Sequence, residues 1–117
     1  MLDELPVPDR FRPVLTAIVD RLVAGDYAGV ARDHSPYRDD PDHDLGLWAR
    51  EYPATFVPLP PAAWEHATAL QLDDGSGWAV DVSLWSREEG LSDMTLSTFI
   101  REHDGDIQVD VTDLHVL

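Results

Sequence analysis

The stretch "MTLSTFIREHDGDIQVDV", Met94 to Val111, decides how this chain folds. Met94, Leu96, Thr98 and Ile100 alternate with Thr95, Ser97 and Phe99, and the alternation resumes after "HDGD" at Ile107, Val109 and Val111. A period of two sends successive side chains to opposite faces of a sheet. Asp104-Gly105 between the two runs suits a two-residue hairpin loop. That turn pairs Ile100 with Val109 and Thr98 with Val111, which keeps one buried set on one face. Beyond Val111 the phase breaks, because Leu114 and Val116 have the wrong parity. A β-bulge at Thr112 or Asp113 would restore it.

Upstream, Trp78, Val80, Val82 and Leu84 alternate with Ala79, Asp81, Ser83 and Trp85. Pairing Leu84 with Met94 and Val82 with Leu96 keeps apolar with apolar and sets Trp85 opposite Asp93. Before "DDGSG", His66, Thr68, Leu70 and Leu72 alternate with Ala67, Ala69 and Gln71. The spacing thus predicts four strands, at 64–72, 78–85, 93–102 and 106–116, joined as an antiparallel meander. Its second face should carry Ala67, Ala69, Ala79, Asp81, Ser83, Trp85, Thr95, Ser97, Phe99 and Asp110.

The N-terminal half has a different period. Phe11, Val14, Leu15, Ile18, Val19 and Leu22 follow helical spacing, with Asp9 as N-cap, Pro13 in the first turn and Gly25 at the C-terminal stop. Helices are predicted at 10–24, 26–33 (started by Asp26) and 44–52, where Leu45, Trp48 and Tyr52 share a face. "SPYRDDPDHD" reads as a charged loop, and "FVPLPPAAW" as an extended crossing too rich in proline for helix or central strand. The fold class is α+β: N-terminal helices packed on one face of a curved four-stranded sheet.

The 117 residues suit a single domain, 1–117, and the absence of Cys excludes disulfides and thiolate metal sites. "MLDELPVPDRF" lacks the basic and apolar regions of a signal peptide, and no apolar run is long enough for a membrane span, so the expected location is cytoplasmic. A net charge of −15 repels nucleic acid and anionic lipid and favours a basic protein partner.

Chemistry could reside in "LWSREEGLSDMTL", Leu84 to Leu96. Gly90, Ser92 and Asp93 are turn formers, which makes this a hairpin connection first. Asp81, Glu88, Glu89 and Asp93 supply oxygens but match no cation-loop spacing, and His34, His43, His66 and His103 show no ligand pattern, so no metal or cofactor is expected. Nucleophile elbows and phosphate-binding glycine loops are absent from the sequence. Paired carboxylates including Asp81 could act as acid and base on a glycoside, and Asp81 with His115, which has Asp113 two residues before it, is the other acid–base combination to consider.

The run "WAVDVSLWSREEGLSDMTLSTFI" and the ending "IQVDVTDLHVL" resemble a family of small uncharacterised bacterial domains sharing a Trp-Ser/Thr-x-Glu-Glu-Gly-x-Ser-Asp motif. "VLTAIVDRLVAGDYAGV" is similar to the first helices of that family and of cystatin-like, nuclear transport factor-like domains. The resemblance implies a cystatin-like α+β fold and supplies no catalytic residues. Two functions follow as expectations. One is a non-enzymatic acidic protein-binding domain, monomeric or homodimeric, such as an immunity-type protein neutralising a basic bacterial toxin. Trp85 and Phe99 would anchor it, with Asp81, Glu88, Glu89, Asp93 and Asp110 providing charge. The alternative is a small nuclear transport factor-like enzyme using Asp81 and His115 in a sheet-lined pocket.

Overall fold

The computed structural model describes residues 4–116. A short 3-10 turn, Asp9–Phe11, leads into α1, Arg12–Val23, so Phe11 rather than Asp9 occupies the N-cap position and no side chain caps the helix. Pro13 falls in the first turn, as its missing N–H allows. Asp9 instead sits 3.4 Å from the Arg12 guanidinium. In α2, Tyr27–His34, the Asp26 carboxylate accepts the Gly29 N–H at 3.1 Å, and in α3, Leu45–Glu51, Asp44 accepts from Leu47 at 2.9 Å. Both are side-chain N-caps that satisfy otherwise orphaned donors.

The antiparallel sheet has five strands: β1, Phe56–Val57; β2, Thr68–Gln71; β3, Trp78–Ser86; β4, Gly90–His103; and β5, Asp106–Val116. The order is β1-β3-β4-β5, with β2 also pairing along β3. The fifth strand corrects the expected meander. Phe56 and Val57, read as part of an extended crossing, pair with Ser86 and Trp85 before the prolines at 58, 60 and 61 end the ladder. Residues 64–66, expected in the first strand, belong to a 3-10 turn, Pro61–His66.

The β4–β5 register follows the alternation and its break, the β3–β4 register follows it at Val82–Leu96 and then departs, and β2 departs from it. Ile100 faces Val109 and Thr98 faces Val111 across the Asp104-Gly105 turn, where both residues have positive φ. The register then slips by one at Thr112, so Ser97 faces Asp113 and Leu96 faces Leu114. Between β3 and β4 the pairing is Ser83 with Thr95 and then Trp85 with Leu91, which leaves Ser92, Asp93 and Met94 opposite Leu84. Trp85 therefore does not oppose Asp93, and Leu84 does not pair with Met94. The Ser92 hydroxyl holds this wide bulge, donating to the Leu84 carbonyl at 2.7 Å and accepting from the Met94 N–H at 3.2 Å. In β2 the faces are reversed: Ala69 opposes Val80 and is fully buried, while Thr68 and Leu70 oppose Asp81 and Ala79 on the other face. The four-residue turn after Leu72, closed by Leu72 N–H to the Gly77 carbonyl, fixes Gln71 opposite Trp78 and so sets the parity. Leu5 adds a two-way bridge to Ala69 on the outer edge.

Leu15, Ile18, Val19 and Leu22 of α1, with Phe11, pack against Val80, Val82, Leu84, Leu96, Ile100 and Val111 in one core. Each such side chain contributes about 1.5–3 kcal/mol by burial. Trp78 closes one end edge-on to Phe11 at 5.7 Å. The segment between α2 and α3 lies along the free edge of β5, not over the second face of the sheet. There His34 Nδ1 meets the Val109 carbonyl at 3.0 Å and His43 Nε2 meets the Thr112 carbonyl at 2.9 Å.

Gly77 packs under Phe99: an added Cβ would lie 2.6 Å from that ring and 2.7 Å from the Ile100 carbonyl. Gly77→Ala should therefore destabilise the protein by about 1–3 kcal/mol, the usual cost of overpacking, read as a lower urea midpoint with unchanged slope. Leu96→Ala should cost about 2–5 kcal/mol by the same measurement.

Candidate functional site

Cross-strand pairing arranges the second sheet face in rows. Leu70, Ala79, Phe99 and Asp110 form one; Thr68, Asp81, Ser97 and Asp113 the next; Ser83, Thr95 and His115 a third; Val57, Trp85 and Leu91 a fourth. A strip of hydroxyls and carboxylates thus runs between two apolar rows. Ala79 and Trp85 lie six residues apart on β3, which separates those rows by about 20 Å. Trp85 is half-buried and edge-on to His66, with ring centroids 6.2 Å apart. Its indole N–H is buried without an acceptor among the described residues, so apolar contact holds the ring in place. Leu91, beside it, is 40% exposed. Leu91 and Leu70 were missed by sequence because the wide bulge and the β2 turn decide which way they point.

The predicted acids divide into different roles. Asp81 is exposed on the face, opposite Thr68 and Ser97. Asp110 is ion-paired with Arg101. Glu88 and Glu89 serve the β3–β4 turn, where Gly90 takes a φ of 73°. The Glu88 carboxylate accepts the Thr55 N–H at 2.8 Å, which lowers its pKa. Glu89 accepts from the Tyr52 hydroxyl at 2.9 Å and from Ser86 Oγ at 3.1 Å. Tyr52 in turn accepts the Asp93 backbone N–H at 3.1 Å, inside the wide bulge. Burial first, then the neighbouring Glu89, raises the Tyr52 pKa. The stretch from Ser86 to Asp93 is thus a turn and bulge braced by Tyr52.

Asp81 and His115 stand on β3 and β5 with β4 between them, so their strands are roughly 9–10 Å apart. His115 Nδ1 lies 3.1 Å from Asp113 Oδ2, an ion-pair distance without hydrogen-bond alignment. Among the described residues no group of three or more His, Cys, Asp or Glu is placed to hold a metal ion. No helix among them is long and apolar enough to cross a membrane.

A cavity of about 520 Å³ opens elsewhere, between α3 and the ends of β4 and β5. Trp48, Glu51, Tyr52, Met94, Leu114 and His115 line it. The sequence placed Trp48 and Tyr52 on one helix face, yet that spacing alone reads as core. Both are half-buried against the edge of the core and also wall the cavity.

All eight basic residues are arginine. Arg10 pairs with Glu102 at 2.7 Å, and Arg21 bridges Asp26 and Asp33. The Arg10 hydrogen bonds hold the Glu102 carboxylate below its usual range. These partly exposed pairs add little stability. Arg101 differs in place: its guanidinium lies over the Phe99 ring, 5.6 Å from the centroid, on the second face itself.

Tyr52→Phe removes a donor to Glu89 and the acceptor for Asp93, and should cost about 1–3 kcal/mol in urea unfolding. A raised phenol pKa favours the folded state below the ordinary tyrosine range, and that contribution is lost as pH rises through the folded pKa. The alkaline decline in stability should therefore be shallower for Tyr52→Phe than for the parent protein, in melts recorded across that range.

No curated protein and no solved structure matches this chain. A family model matches residues 19–117, from within α1 to the end of the sequence. The chain belongs to that family, described as Domain of unknown function (DUF7668).

Proposed function

We propose that this is a non-enzymatic, acidic protein-binding domain whose second sheet face docks on a basic partner. The observation that carries the reading is the face itself. Two apolar rows, one with Trp85 and the exposed Leu91 and the other with Phe99, flank the polar strip around Asp81. Interfaces draw most of their energy from a few aromatic anchors, with polar groups setting register. The net charge of −15 would speed encounter with a basic protein, and Asp81 would meet it at the centre of the contact. Glu88 and Glu89 are committed to the turn, so they support the anchors rather than supply free charge. In its most concrete form the domain is a cytoplasmic, immunity-type protein that covers a basic bacterial toxin.

Capture of partners from lysate at low and high salt, identified by mass spectrometry, tests this. A basic protein should be retained at low salt and released at high salt. Trp85→Ala should weaken its binding by about 2 kcal/mol or more, a hot-spot loss. Asp81→Lys should flatten the salt dependence. Retention of the same partner with unchanged affinity by both variants would sink the proposal.

A further inference from the structure

We propose that the cavity between α3 and the ends of β4 and β5 binds a small amphipathic organic cation, an ammonium group on an aromatic or branched apolar body. Its volume, about 520 Å³, lies in the range of small-molecule sites. The walls are apolar and aromatic: Trp48 and Tyr52 on one side, Met94 and Leu114 on the other. Both aromatic walls are braced from outside the cavity. Trp48 sits edge-on to His43 at 4.8 Å, and His43 is fixed by the Thr112 carbonyl. Tyr52 is fixed by Glu89 and the Asp93 N–H, and stacks on Phe56 at 5.6 Å. A site whose walls are already ordered loses little entropy on binding.

The sign of the ligand follows from the charges around it. Among the described residues that line the cavity, Glu51 is the only one with a side-chain carboxylate and none is an arginine. Glu89, bonded to Tyr52, adds negative charge behind the wall, as does the carbonyl end of α3. Aromatic faces beside a carboxylate attract an ammonium group and repel a carboxylate ligand. The site is independent of the second-face reading, since Trp85, Phe99 and Asp81 do not line it.

Three probes with one aromatic body separate charge from apolar filling: tryptamine, 3-ethylindole and indole-3-propionate. Binding to the full chain is followed by NMR at the Trp48 indole N–H and the methyl of Met94. Tryptamine should shift both signals at millimolar concentration or below, 3-ethylindole should bind more weakly, and indole-3-propionate should not bind. Glu51→Gln should weaken tryptamine about tenfold, the loss of one charge-assisted contact. Val116→Trp, at an exposed position on the cavity lining, should block binding while leaving the fold intact. Equal binding of all three probes, shifts confined to other residues, or no shift with tryptamine would each overturn the assignment.

Discussion

The architecture depends most on one extra residue in β5. Without the bulge at Thr112, the strand would keep the parity of Val109 and Val111, sending Asp113 and His115 into the core and Leu114 to solvent. Two buried ionisable groups in place of one leucine would be far costlier than the ladder bond lost at the bulge. The bulge reverses the phase, and its freed polar groups are used. Thr112 Oγ1 donates to the Ser97 carbonyl at 3.1 Å, while the Thr112 carbonyl takes the contact from His43. One local irregularity thereby puts Leu114 in the core, His115 on the second face, both of them at the cavity wall, and an anchor for the α2–α3 segment on the edge.

The hairpin, the Thr112 bulge and the three helices were legible in the sequence because each leaves a local signal. Asp104-Gly105 has few alternatives as a tight turn, and a phase break between Val111 and Leu114 has one simple remedy. Asp26 was readable as a helix start for the same reason, since a cap acts over three residues, whereas Asp9 gave a false start and the Asp44 cap went unread. The misread elements depend on distant partners. Ser92, Asp93 and Met94 face Leu84 in a bulge held by the Ser92 hydroxyl and by Tyr52, some forty residues away, which accepts the Asp93 N–H. The parity of β2 follows from its turn and from Leu5, not from its own alternation. A two-residue strand such as β1 exists only because the end of β3 is there to pair with it.

The candidate sites were legible to a different degree. Trp85, Phe99 and Asp81 were placed on the correct face by parity alone. Glu88 and Glu89 were not separable from Asp81 as free acids, because their partners Thr55 and Tyr52 come from another part of the chain. The cavity was invisible for a related reason: its walls come from a helix and two strands, none unusual alone. Composition gave the sign of the charge, and only the fold shows that Arg10 and Arg21 pair with acids outside the second face while Arg101 lies on it, over Phe99 and paired with Asp110.

The imidazoles of His34 and His43 stand where a further strand would hydrogen-bond to β5. An open strand edge is a template for strand addition from another molecule, and proteins commonly blunt it with charge or with a covering loop. Here two side chains occupy the carbonyls that an incoming strand would need first. Growth of the sheet across this border would require the α2–α3 segment to lift, which would uncover the brace behind Trp48 as well. Resistance to edge-to-edge association and the shape of the cavity are thus secured by the same clasp.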